Sequence, residues 1–254
     1  MPAAVGVPAD AVPLVELEEV TKSFGGLTVI DDLSLRVREG EALGVIGPNG
    51  AGKTTMLNLI AGDLRPDQGR VRIAGEDVTR LRADQRCHTG LARTAQVPRP
   101  YAGMSVFENV LVSATFGGRR RRSERAGVGG SAQALERTRL IAKANLPAGS
   151  LTLLERKQLE LARALAAQPR LLLLDEIAGG LTEGEIGELG ATVAAIRAEG
   201  VALIWIEHVV HALVAGVERI MAIHFGQVIA DGEPDTVMAS PEVREVYLGM
   251  VPTA

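Results

Sequence analysis

Two short stretches of the chain carry residue types and spacings suited to chemistry on phosphate. The first, Gly47-Pro48-Asn49-Gly50-Ala51-Gly52-Lys53-Thr54, has the form G-x-x-x-x-G-K-[ST]. Its glycines let the backbone bend so that successive N–H groups face an anion. A helix opening near Lys53 adds its unpaired N–H groups and the positive end of its dipole. The Lys53 ammonium neutralises phosphate charge, and the Thr54 hydroxyl is a hard oxygen ligand for Mg2+. The second stretch, Leu171-Leu172-Leu173-Leu174-Asp175-Glu176, sets two carboxylates at the end of an apolar run. Asp175 is placed to hold Mg2+ through water. Glu176 is placed to orient or deprotonate an attacking water, work that typically contributes about 10²–10⁴-fold to a rate.

These groups need elements to hold them. Ala42 to Ile46 is an apolar strand leading into the glycine loop, and Met56, Leu57, Leu59 and Ile60 give helical spacing over Lys53 to Ala61, with Gly62 at the C-cap. Leu171 to Asp175 and Val201 to Ile206 are continuous apolar runs of strand length, alternating with helical patterns at Glu155 to Ala167 and Glu183 to Ala198. That order predicts a parallel sheet covered on both faces, with ligands at the C-terminal ends of its strands. Val15 to Val20, Leu33 to Val37 and Val71 to Ile73 predict an antiparallel layer, and Arg219 to Ala230 a strand–turn–strand about Gly226. Ser105 with Glu108 has capping-box spacing for a helix over Ser105 to Thr115, and Ala132 to Ala144 is helical in pattern. Gly117 to Ser131, which holds Arg119 to Arg122, reads as an exposed, solvated loop. The expected fold class is α/β: a P-loop core of mostly parallel sheet covered by helices, an N-terminal antiparallel β layer, and a small helical subdomain at about 97–165. Residues 1–14 read as a tail and 15–254 as one domain.

Composition narrows the class. The 254 residues carry 27 Lys+Arg against 31 Asp+Glu, a formal charge of −4, so there is no basic excess for a nucleic-acid face. Hydrophobic residues at 46% and charged residues at 23% are a globular mix that argues against disorder. A lone Cys87 rules out an intrachain disulfide and suits a reducing compartment. No run approaches the roughly 18 apolar residues of a membrane helix. The Ala/Val/Pro-rich start, Met1 to Pro13, lacks basic residues ahead of its apolar ones and so does not read as a signal peptide. A cytosolic location is expected, with membrane contact only through a partner. Asp84, Cys87, His88 and His211 have no metal-site spacing.

Further pieces are more specific than the two phosphate motifs. Gly90-Leu91-Ala92-Arg93-Thr94-Ala95-Gln96, Leu159-Glu160-Leu161-Ala162-Arg163-Ala164-Leu165 and Trp205-Ile206-Glu207-His208 follow in the order seen in the nucleotide-binding subunits of ABC transporters, and from about Val15 nearly the whole chain resembles that family. Ile46 to Thr55 and the tail segments Phe225 to Gly232 and Val246-Tyr247-Leu248-Gly249 resemble the ATPases of branched-chain (hydrophobic) amino-acid importers. Neighbouring branches import urea or amides, or extract lipopolysaccharide. The resemblance implies ATP and Mg2+ as ligands. It implies nucleotide contacts from Gly47, Asn49, Gly50, Ala51, Gly52, Lys53, Thr54 and Thr55, with adenine stacked on Phe24. Thr54, Asp175 and Gln96 would serve the metal, Gln96 also reaching the lytic water. Glu176 would act as base, and His208 as the switch histidine on the γ-phosphate. The implied setting is bacterial: the cytoplasmic face of the membrane, with a second ATPase subunit, two permease subunits and, indirectly, a solute-binding protein.

In that family ATP is sandwiched between two subunits, each closing the other's site with a glycine-rich signature. The corresponding segment here is Leu151-Thr152-Leu153-Leu154-Glu155. Thr152 keeps a hydroxyl, but two leucines stand where glycines allow close approach to phosphate, and Glu155 adds negative charge. Thr182 replaces an Asp or Asn, and Ile177 a proline. The chain's own Lys53, Asp175, Glu176 and His208 are intact, so the expectation is a heterodimer with one competent and one weakened site; a homodimer would make both weak. Two other classes remain open on sequence. A soluble ABC ATPase of translation or DNA repair usually carries tandem cassettes or a long coiled-coil insertion, which this chain lacks. An ATP-gated assembly module with little turnover fits the degenerate signature.

Overall fold

In the computed structural model, which describes residues 12–118 and 124–248, the apolar patterns become two sheets. Strands β1 (Val15–Phe24) and β2 (Leu27–Val37) form a hairpin closed at Gly25-Gly26, and β3 (Ala42–Ile46), buried throughout, leads through the glycine loop into helix α1 (Lys53–Ala61). β4 (Gln68–Ile73) and β5 (Glu76–Asp77) complete an antiparallel sheet ordered β2-β1-β4-β5. Short α2 (Ala83–Arg86) precedes β6 (Leu91–Arg93), and three helices follow: α3 (Val106–Phe116), α4 (Glu124–Arg137) and α5 (Leu153–Ala166). β7 (Leu171–Asp175), α6 (Glu183–Ala198), β8 (Ala202–Ile206), α7 (Val210–Gly216) and β9 (Arg219–His224) build the rest of the parallel sheet. β10 (Gln227–Gly232) adds an antiparallel edge, followed by α8 (Pro234–Ala239) and α9 (Pro241–Leu248). The large sheet runs β10-β9-β3-β8-β7-β6, parallel from β9 through β6.

Strand parity divides the interior. Leu43, Val45, Leu171, Leu173, Ile204 and Ile206 face α1 and the antiparallel sheet, so α1 is buried between the two sheets. Leu172, Leu174, Leu203 and Trp205 point the other way, into the helices α3, α5 and α6. The continuous apolar strands follow from this: with both faces covered, every position is a core position. Because β3, β6, β7 and β8 are parallel, their C-terminal ends, and the loops that follow them, emerge along one edge.

Caps form where the sequence places them, and move one boundary. Ser105 accepts the Glu108 N–H, and Glu108 bonds back to the Ser105 N–H. Gly62 caps α1 in the left-handed region at φ 87°. Thr152 makes a second capping box with Glu155, so α5 begins at Leu153 rather than Glu155.

The loop expected over 117–131 is corrected: α4 already begins at Glu124, and Gly127, Gly129 and Gly130 are helical. A side chain at Gly127 would come within 3.1 Å of Thr115 Oγ1 on α3, so the glycine permits close packing of the helices. The helix expected to run to Ala144 stops at Arg137, where Arg139 turns left-handed at φ 61°, and resumes only as a 3-10 turn at Ile141–Lys143. Arg119 to Arg122 and residues 1–11 of the expected tail lie outside the described residues. Leu14 is buried, and its carbonyl accepts the Ala74 N–H at 2.8 Å.

Candidate nucleotide-binding site

The glycine loop is shaped by contacts only glycine permits. A Cβ on Gly47 would lie 2.3 Å from the Ile223 carbonyl oxygen, and one on Gly52 2.7 Å from that of Val29. Gly50 and Gly52 are left-handed at φ 81° and 105°, and Gly52 is the N-cap of α1, which as a glycine supplies no side-chain cap to the first turn's N–H groups. Lys53 is buried, and its ammonium donates to the carbonyls of Gly47 (2.5 Å) and Pro48 (2.9 Å), folding the loop around one cation. Burial pushes the Lys53 pKa down, opposed by the nearby carboxylates of Glu176 and Asp175. Asn49, Gly50, Ala51, Gly52, Lys53, Thr54 and Thr55 line a cavity of about 180 Å3, joined by Val29 and Glu176.

Glu176 follows β7 with its backbone left-handed at φ 48°, held by its N–H on the Ile206 carbonyl at 2.9 Å. The turn brings three distant residues together. Gln96 Nε2 donates to Glu176 Oε2 at 2.6 Å, and His208 Nε2 lies 2.6 Å from Glu176 Oε1. Asp175 is 1% exposed: Oδ2 accepts from Arg93 Nη2 at 2.8 Å, while Oδ1 has no hydrogen-bond partner among the described residues. A phosphate cradle, a buried carboxylate and a second carboxylate gripped from two sides thus share one edge of the sheet.

A family model described as ABC transporter matches residues 30–179, more than half of the chain, and so covers the cradle and both carboxylates. The chain belongs to the ABC transporter ATP-binding family. It is an ATPase, and cassettes of this family bind and hydrolyse ATP, working as dimers with membrane permease partners. A second model, described as branched-chain amino acid ATP-binding cassette transporter, matches residues 227–249. The chain is 35% identical to a high-affinity branched-chain amino acid transport ATP-binding protein of Pseudomonas aeruginosa, over 93% of this chain and 98% of that one. It is also 35% identical to a lipopolysaccharide export system ATP-binding protein of Acidithiobacillus ferridurans, over 93% and 97%. Among solved structures it is similar to the ADP conformation of an ATP-binding cassette of an ABC transporter, with a TM-score of 0.85 at 29% identity, covering 94% of this chain and 99% of that one.

Other expected positions lie apart from this cavity in the ABC cassette. Phe24, 47% exposed, stands at the β1–β2 hairpin with the Lys22 ammonium 5.6 Å from its ring centroid, while Val29, on the neighbouring strand, is the residue that reaches the loop. Thr152 caps α5 and does not line the cavity. The signature differs from expectation in two respects. Leu154 turns into the core at 9% exposure, so that of the two leucines Leu153 alone, 43% exposed, stands on the surface. Glu155 is paired with the Lys143 ammonium, which pulls its pKa down and offsets the charge it adds. Thr182 caps α6 with Glu185, a local reason for a hydroxyl there.

Sequence reading missed Val29, Arg93 and Glu207. Arg93 sits inside a quoted motif, and its only local signal is a lone charge ending a short apolar strand. Glu207, just before His208, is buried and accepts the Ala178 N–H at 2.7 Å and the Trp205 indole N–H at 3.3 Å.

Proposed function

We propose that this cassette is the ATP-hydrolysing subunit of an importer for branched-chain or related hydrophobic amino acids, held at the cytoplasmic face of the membrane by two permease subunits. A solute-binding protein would deliver the substrate. The observation that carries the catalytic part is the convergence of Gln96 and His208 on Glu176 beside Lys53. The substrate rests on the match at residues 227–249 and on the relatives named for that transport.

In this reading the cassette spans 15–254, with a helical subdomain at about 97–165. The N–H groups of Asn49, Gly50, Ala51 and Gly52 receive phosphate oxygens, and the Lys53 ammonium leaves its two carbonyls for the β- and γ-phosphates. Thr55 adds a hydroxyl at the start of α1, and Phe24 offers its exposed ring to adenine. The residues present fit Mg2+: a buried carboxylate oxygen on Asp175 that has no partner among the described residues, the Thr54 hydroxyl and the Gln96 amide oxygen are hard oxygen donors. Mg2+ would neutralise charge on the phosphate oxygens. Glu176 accepts the proton of the attacking water, oriented through its two oxygens by Gln96 and His208, and His208 turns toward the γ-phosphate when nucleotide fills the cradle. A cleft of about 480 Å3 beside β6, with Asp63, Arg93, Tyr101, Phe116, Glu160 and Arg163 on its walls, is the proposed seat of a permease. It lies between the sheet and α3 and α5 and adjoins β6, the strand that leads to Gln96.

Thr152 would close over the partner's nucleotide. With Leu153 on that surface and no glycine beside it, the partner's site is the weakened one. A heterodimer therefore leaves this chain's own nucleotide competent, if the second ATPase subunit supplies a glycine-bearing signature; a homodimer would weaken both.

The test is uptake of radiolabelled leucine by proteoliposomes holding both permeases, both ATPase subunits and the binding protein. ATP-dependent uptake, abolished by Lys53→Ala, is expected. Absence of leucine, isoleucine and valine uptake from a complex that hydrolyses ATP would overturn the substrate assignment and favour the lipopolysaccharide or urea and amide branches.

A further inference from the structure

Arg93 ends β6, three residues before Gln96, and its guanidinium spans three partners. Nη2 donates to Asp175 Oδ2 at 2.8 Å, and Nη1 to Asn58 Oδ1 at 2.5 Å and Asp63 Oδ2 at 3.0 Å. Asn58 is on α1 and Asp63 just beyond it, so one side chain links the cradle helix, the acidic strand and the strand leading to Gln96. Asp175 is left divided: Oδ2 is held by a cation, and Oδ1 is buried without a partner among the described residues.

Two effects compete at such a carboxylate. A guanidinium that mainly orients the ligand helps a metal bind, and its removal weakens binding. A guanidinium that mainly offsets the carboxylate's charge opposes a dication, and its removal tightens binding. Asp175 is already fixed by the β7 backbone and by burial, so little freedom is left for Arg93 to remove. Charge, by contrast, acts strongly in direct contact, with Asp175 buried and Arg93 largely covered, even though Asp63 shares the guanidinium. The second effect therefore dominates.

We infer that Arg93 is a positioning residue that acts as a counter-cation on Asp175, holding Oδ2 and raising the Mg2+ concentration at which the site takes up Mg-ATP. This rests on the proposed reading of Asp175 as a metal-side ligand.

The test measures binding of a fluorescent ATP analogue to the full chain, titrated with Mg2+ and, separately, in EDTA. Arg93→Gln is expected to lower the Mg2+ half-point about tenfold, because repulsion between the two cations is removed. Affinity in EDTA should stay within about twofold, and Arg93→Lys, which restores the charge, should return the half-point toward wild type. A merely structural role moves the half-point the other way, so an unchanged or raised value in folded Arg93→Gln overturns the inference. Should that variant not fold, Asp63→Asn decides: Arg93's charge then falls more fully on Asp175 and the half-point rises, while no rise counts against the inference. Asp175→Asn tests the layer beneath. If it leaves the Mg2+ dependence as in wild type, the ligand assignment itself is wrong, and the inference falls with it.

Discussion

At Glu207 the chain keeps a carboxylate almost wholly away from water, one residue from His208. Its oxygen takes the Ala178 N–H and the Trp205 indole N–H, tying the end of β8 to the turn that follows Glu176. Burial pushes its pKa above the ordinary value of 4.5, against those bonds and the nearby Lys157 ammonium. A raised folded pKa means that the ionised form is the less stable one in the folded protein, so this group adds stability as pH falls through its folded value toward 4.5. Glu207→Gln keeps the acceptor and loses the charge. Its denaturation midpoint is therefore expected to match or exceed wild type above the folded pKa, the difference shrinking to nothing below about pH 4.5; a variant that is less stable at high pH and not at low pH contradicts this. The placement of Lys53, Asp175 and Glu176 around the glycine loop was readable because they lie in contiguous motifs. Glu207 and Arg93 were not: their partners are 29 and 82 residues away, and only the parallel register of β6, β7 and β8 brings them together.

Among the elements, α5 shows how a cap resets what a motif presents. Thr152 begins the helix two residues earlier than the apolar spacing suggests, and that phase turns Leu154 inward and Leu153 outward. Leu154→Ala is expected to cost about 2–5 kcal/mol, as a large-to-small change in a core, while Leu153→Gly costs under about 1 kcal/mol. Urea denaturation of the two variants checks the order; equal costs would mean that both leucines share one environment. Helix α4 shows the limit of local reading. Three glycines lower its propensity, and the helix stands through packing on α3 and α5, with Ser131 buried and its hydroxyl on the Gly127 carbonyl at 2.8 Å. The strands were legible because continuous apolar runs have one reading in a covered parallel sheet.

For the molecule as a whole, the turn after β7 brings Glu176 together with Gln96 and His208 beside the glycine loop, while Thr152 of the signature caps α5 and does not line that cavity. The proposed asymmetry follows from two sets of residues: an intact Lys53, Asp175, Glu176 and His208 set, and a signature with Leu153 exposed. The most direct test is ATP hydrolysis by the purified chain, alone and mixed with its second ATPase subunit, each with wild-type Glu176 or Glu176→Gln. The account requires turnover only in the mixture, falling by about 10²-fold or more with Glu176→Gln while ATP binding persists. Robust turnover by the chain alone, or more than about a tenth of the activity surviving Glu176→Gln, would contradict it.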